Sequence, residues 1–263
     1  MTNTQILKAL GFLTGKATKP NIKKATIALQ KFYGLEPDGV LGGVTQRTLE
    51  QHRVCGVPDV QAMNRGRRRV CKWPAGHVVT WGIQTPLPGV SIGDQMQSLN
   101  RCMNVWSGVS GFRHTYSAGR TSNIYFVLMR QRPGGVLADM QLPCGANTRS
   151  RMRGRFDAAE HWDMANTSED ADRGRISFHT TATHEIVQAL GIDHLAPSGG
   201  RALMNPSYTP ETPTITRLDI DQATSRYPGD PEEPDDDGDA GADFVEVKLR
   251  INGVGQVYYG RVS

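Results

Sequence analysis

The chain has 263 residues, a length that fits one large or two modest domains, each able to bury a core. With 38% hydrophobic and 21% charged residues it reads as an ordinary globular chain, and no apolar run is long enough to cross a bilayer. The formal net charge of +4 is too small to argue for nucleic acid, so no nucleic-acid partner is expected.

The start, MTNTQILKALGFLTGK, has no basic stretch followed by a long apolar one, so no secretory signal is read from it. Apolar side chains at Ile6, Leu7, Leu10 and Leu13 have helical spacing, and Ile22, Ala25, Leu29 and Phe32 repeat it. An Asp38-Gly39 turn and a glycine pair follow, with Thr45 placed to cap a short third helix. The run IALQKFYGLEPDGVLGGVTQRTLE, from Ile27 to Glu50, resembles the peptidoglycan-binding-like helical domain that also forms the prodomain of matrix metalloproteinases. The resemblance implies a three-helix bundle over residues 1–52, and peptidoglycan enters as a partner through this likeness alone.

HRVCGVPDV, residues 52–60, comes next, and Cys55-Gly56-x-Pro58-Asp59 is similar to the matrixin cysteine switch. In that family a thiolate, a strong soft ligand, is delivered to the catalytic zinc on a rigid turn, which Gly56 and Pro58 can supply here. One residue departs from the pattern: Arg53 stands one place further from the cysteine, which implies a looser grip on the switch loop. NRGRRRVCKWP, residues 64–74, reads either as an exposed processing site at Arg65-Gly66-Arg67-Arg68 or as a plain solvated linker. Residues 53–76 therefore form a switch and basic linker. The four cysteines (Cys55, Cys71, Cys102, Cys144) contain no CxxC pair and are too few for a disulfide scaffold.

From residue 77 the texture changes to strands, at 77–83, after Trp106, at 123–129 and within 133–143, with a helix from Gly93 to Trp106 carrying Met96, Leu99, Met103 and Trp106 on one face. Strand, helix, three strands and then the His184 helix is the order of a metzincin catalytic domain. Trp106-Ser107, Gly134-Gly135-x-Leu137-Ala138, Phe156-Asp157-x-x-Glu160-His161-Trp162 and the closing LDIDQATSRYPG (218–229) resemble matrixin segments in order. The fold class expected is α+β: a helical bundle followed by a metzincin-type domain over 77–229, a twisted mixed sheet with packed helices.

HEIVQALGIDH, from His184 to His194, is similar to the metzincin zinc signature, with Gln188 where a middle histidine is expected. Residues four apart share a helix face, so His184 and position 188 can grip one ion, Gly191 permits a break, and His194 returns as third ligand. RALMNPSY (201–208) resembles the Met-turn, with Met204 beneath the metal and Pro206 and Tyr208 walling a substrate pocket. The resemblance implies zinc-assisted peptide hydrolysis with Glu185 as general base. Zinc favours imidazole, thiolate or carboxylate over a neutral amide, so Gln188 leaves three readings. Zinc binds through His184, His194 and the Gln188 amide with slow catalysis; or another group completes the shell, His179 being nearest but rotated off the ligand face; or the chain is an inactive scaffold that binds peptide or cell-wall glycan. In the last case Cys55, His184 and His194 still offer three good ligands.

In matrixins a structural zinc uses histidines on two strands; Asp139 and Arg155 stand there, so no such zinc is expected. Asp157 and Glu160 stand where the family binds calcium, with two surface carboxylates as the plainer reading and Gln131 in place of a further acid. Residues 230–243 read as an acidic linker, DDDGD (235–239) being a solvating run before a calcium loop, and 244–263 as a hairpin turning at Asn252-Gly253. The expectation is a matrixin-type zinc endopeptidase made as a zymogen with Cys55 on the zinc, acting on protein or peptide as a monomer. The resemblance implies an extracellular setting.

Overall fold

The structure, a computed structural model, describes residues 2–50, 53–60, 72–117, 121–130, 136–143, 151–164, 175–208, 215–230, 245–251 and 254–260. The leader opens with α1 (Asn3–Ala9), started by a reciprocal cap between Thr2 and Gln5, and α2 (Lys19–Phe32), capped by Thr18 with Pro20 in its first turn. Leu7, Leu10 and Leu13 pack on Ala25 and Leu29 of α2 in a small core of their own. α3 (Gly43–Glu50) begins before Thr45, so that residue is not its cap. Thr45 is buried and accepts from the amide of Gln30 (3.4 Å), because Gln30 is the polar hub of this lobe. The same amide nitrogen donates to Asp38 Oδ1 (2.6 Å) and the Val40 carbonyl (3.0 Å), while Gln30 Oε1 accepts from Gly39 N (2.8 Å). Gly39 has φ 78°, and a Cβ there would lie 2.8 Å from Lys23 Cγ, so the turn requires glycine.

Among the described residues the main sheet has six strands in the order β1-β5-β6-β4-β2-β3. They are β1 (Arg53–Cys55), β2 (Val78–Ile83), β3 (Arg113–Tyr116), β4 (Ile124–Met129), β5 (Val136–Met140) and β6 (Met152–Asp157). All neighbours run parallel except β5 and β6. Two of these strands differ from the sequence expectation. β6 was not among the strands expected, yet Met152, Gly154 and Phe156 alternate inward while Arg151, Arg153 and Arg155 are only half-buried. Gly154 is needed there, since a Cβ would sit 2.8 Å from both Met140 Cε and the Phe126 ring. The segment around Cys55 is a short edge strand, paired in parallel with β5 at Cys55↔Ala138, and not merely a turn.

α4 (Ile92–Ser107) and α5 (Phe178–Ala189) pack together and start at Ser91 and Ser177, whose side chains accept from Asp94 N and Thr180 N. Leu99, Cys102, Met103 and Trp106 of α4 join Phe126, Phe156, Phe178 and Ile186 in the main core, whereas Met96 stays at its margin. The two-residue strands β7 (Trp162–Asp163) and β8 (Ile176–Ser177) lead into α5, and α6 (Arg217–Arg226) closes the unit. β9 (Val245–Ile251) and β10 (Val254–Gly260) form an antiparallel pair in register Val254↔Ile251. The basic linker at 64–71, Gln131, Gly134-Gly135, Cys144, the acidic run 231–243 and Asn252-Gly253 lie outside the described residues. No helix among those described is long and apolar enough to cross a membrane.

One hydroxyl ties three segments together. Tyr227 at the end of α6 donates to the Leu190 carbonyl (2.7 Å) and accepts from Trp73 N (3.2 Å), while the Trp73 indole donates to the Ala189 carbonyl (3.1 Å). The end of the zinc-signature helix is thus fixed from both sides. Tyr227→Phe strands a buried donor and an acceptor, and urea unfolding should show a loss of about 1–3 kcal/mol with the slope unchanged.

Candidate metal centre

α5 carries His184, Glu185 and Gln188 on a helix buried from Thr180 to Ala189, so every polar group on it needs a partner. After its last residue the chain turns at Gly191, with φ 81°, and comes back to set His194 opposite His184. The Nε2 atoms of these two histidines are 3.1 Å apart. The Gln188 amide nitrogen lies 3.2 Å from His184 Nε2 and 2.9 Å from His194 Nε2. From the leader, Cys55 places its sulfur 3.0 Å from His194 Nε2, and Gln188 Nε2 donates to that sulfur at 3.1 Å.

Five of the six separations in this quartet therefore fall between 2.9 and 3.2 Å, and the sixth, Cys55 Sγ to His184 Nε2, is within 4.8 Å. Tetrahedral zinc sets its nitrogens about 3.3 Å apart and nitrogen from sulfur about 3.6 Å apart, as bond lengths of about 2.0 and 2.3 Å dictate. The quartet is slightly tighter than that; three of its atoms are zinc donors and the fourth is the Gln188 amide nitrogen, which is not, so Cys55, His184 and His194 are the residues that fit a zinc ion. Among the described residues, Cys55, His184 and His194 are the group of strong ligands close enough to share one ion.

The outer contacts choose which histidine atom faces inward. His184 Nδ1 donates to the Leu203 carbonyl (2.8 Å), which leaves the Nε2 lone pair for a metal. That carbonyl belongs to a turn pinned by Asp219, whose carboxylate accepts from Leu203 N and Met204 N at 3.0 Å each, and from Thr216 N (2.8 Å) and Oγ1 (2.7 Å). Asp219 is fully buried, and sequence reasoning missed it. The available signal was Thr216 three residues before an acid at a helix start, a capping pattern that gave no hint of the second duty. Met204 is buried in the core beneath this turn.

Glu185 is also buried, and burial first, then the negative charge of Asp139, holds its carboxyl well above the usual range, while the Cys55 thiol opposes this. A divalent cation beside it would favour the ionised form. His179 is not in the quartet; its Nδ1 lies 3.4 Å from Cys102 Sγ on α4. Burial lowers His179 to about 4 and raises Cys102 to about 12, so both stay neutral at physiological pH.

Pro206 is buried, and Tyr208 packs with Leu137 and Ile176 while its hydroxyl accepts from Ser177 N (3.0 Å). Asp139 and Arg155 face each other across β5 and β6 in a bidentate ion pair. The plainer reading of Asp157 as a surface carboxylate is corrected. It is fully buried and its Oδ1 accepts from Ala159 N (3.0 Å), because it closes the turn after β6, while Glu160 is half-buried.

The segment around Cys55 is held to the N-terminal helices and to β5 by contacts that composition could not show. The hydroxyl of Tyr33, just past the end of α2, donates to Asp59 Oδ2 (2.6 Å), and Val60 N donates to the Leu10 carbonyl (3.4 Å). Gly56 N donates to the Ala138 carbonyl (2.9 Å), extending the β1–β5 ladder. The Arg53 side chain lies outside the described residues.

Residues 72–227 match the family model described as Matrixin. The chain is 26% identical over 207 residues to matrix metalloproteinase-17 of Homo sapiens, covering 73% of this chain and 33% of that protein. It is 30% identical over 190 residues to interstitial collagenase of Bos taurus, covering 69% and 37%, and 28% identical over 191 residues to that of Equus caballus, covering 68% and 37%. The chain thus spans about a third of the length of the curated relatives it matches.

Because Asp219 reaches the quartet only through the Leu203 turn, Asp219→Ala should weaken zinc binding by about 10–100-fold without removing any ligand. Chelator competition on the full chain measures this.

Proposed function

The chain belongs to the matrixin family, and from that premise we propose that it is a zinc-dependent endopeptidase made as a zymogen, acting on protein or peptide substrates. The observation that carries the reading is the sulfur of Cys55, 3.0 Å from His194 Nε2 and within reach of both zinc-signature histidines. His184, His194 and the Gln188 amide would hold the ion, and Cys55 would take the remaining corner while the leader is in place. Zinc bound there would supply Lewis-acid polarisation of a peptide carbonyl and acidify water.

The chain's own residues would do the rest. Glu185, next to His184 and buried, would take a proton from the attacking water and pass it to the leaving amine. Pro206 and Tyr208 would line the pocket for a substrate side chain. Residues 1–52 would be the prodomain, 53–76 the switch and linker, 77–229 the catalytic domain, 230–243 a linker and 244–263 a terminal hairpin. Peptidoglycan is not needed for this reading, since α2 already has a task in holding Asp59. The family also implies calcium, for which Asp157 and Glu160 are the candidates, with Asp157 turned toward its own loop.

The test cleaves the chain within 64–71, supplies excess zinc and follows a quenched peptide. The parent should hydrolyse it, and Glu185→Ala should lose at least about 100-fold in kcat while still binding zinc. Silence of the cleaved, zinc-loaded parent would overturn the reading in favour of an inactive scaffold.

A further inference from the structure

We propose that Cys55 is the ligand that retains the zinc, so that withdrawing the leader strand releases the metal as well as uncovering it. This rests on the reading of the quartet as a zinc site and concerns how that site is regulated. Three strong donors are present, and one of them comes from the leader. Without Cys55 the ion keeps two imidazoles and the Gln188 amide, a neutral ligand that zinc holds poorly.

The contacts of Gln188 point the same way. Its amide nitrogen donates to the Cys55 sulfur (3.1 Å), while its Oε1 is buried and has no hydrogen-bond partner among the described residues. Turned this way the amide acts as a hydrogen-bond donor to the sulfur. Val57 N also donates to that sulfur (3.4 Å), so two N–H groups hold it in its place in the quartet. The closed centre, with Cys55 fully buried, is the enclosed thiolate and imidazole arrangement of a structural zinc site.

Linkage sets the consequence. If zinc binds the closed form more tightly by some factor, zinc favours closure over opening by the same factor. A leader freed by cleavage then leaves an enzyme whose activity depends on the zinc around it, and which empties when zinc is scarce.

The experiment measures zinc per molecule and zinc affinity by chelator competition on the full chain, for the parent, Cys55→Ser, Gln188→His and the double variant. The parent should hold one zinc, and Cys55→Ser should bind at least about 100-fold more weakly, more than the loss of an outer partner costs. The double variant should recover, since three imidazoles then face the ion. Cobalt(II) in the parent should show a thiolate charge-transfer band that Cys55→Ser lacks, and metal-free Cys55→Ser should unfold at the temperature of the metal-free parent. Equal zinc affinity with and without Cys55, or a cobalt-loaded parent lacking the thiolate band, would overturn the proposal and leave the endopeptidase reading standing. Failure of the double variant to recover would overturn the role given to Gln188. Absence of zinc from the parent and from Gln188→His alike would overturn both readings.

Discussion

Four electron-rich or amide atoms from two distant parts of the chain meet, five of their six separations within about a hydrogen-bond length, in a place water barely reaches. Cys55, His184, Gln188 and His194 can share that space only if protons or a cation stand between their lone pairs. Much of the surrounding architecture serves to bring them there. α5 supplies two of them at one face, the φ of 81° at Gly191 reverses the chain for the third, and the β1–β5 pairing delivers the fourth.

That convergence requires rigid support, and the support is polar as well as apolar. Asp219 spends a buried carboxylate on three backbone amides and one hydroxyl, and the turn it fixes orients His184. Tyr227 and Trp73 do the same for the far end of α5 through the Leu190 and Ala189 carbonyls. On the leader side Tyr33 and Gln30 are the equivalents, one gripping Asp59 and the other organising the Asp38-Gly39 turn. In each case a single side chain satisfies groups from segments far apart in sequence.

This explains what could be read in advance. Helical spacing in α2, α4 and α5 and the apolar strands β2 and β4 were legible because periodicity is local. That His184 and Gln188 share a face was legible because a spacing of four is a helix property, whereas His194 meets them only past the Gly191 turn. β6 was hidden because arginines alternate with its inward residues and one of those is a glycine, so Met152, Gly154 and Phe156 give only a weak period of two. Asp219, Tyr33 and Tyr227 were not legible, since each acts on partners 15 to 154 residues away and nothing in the local pattern marks the distance. Thr45 was misread for the same reason, its partner Gln30 lying 15 residues back, whereas Asp157 was misread because its burial leaves no mark on the local pattern.

Gln188 shows how geometry and chemistry part company at one position. A glutamine reaches about as far from the helix as a histidine, so replacing one by the other at the i+4 position keeps the tetrahedron filled, as the separations of 2.9–3.2 Å show. The fold tolerates the exchange because the cavity is filled and the helix is unchanged. The metal would not be indifferent, because an amide brings neither the imidazole lone pair nor a negative charge. The sulfur of Cys55 supplies both, and it lies on a strand that other contacts already hold in place. Under the proposed zinc reading, a side chain of similar reach but different chemistry would shift the burden of metal binding from the helix to the leader.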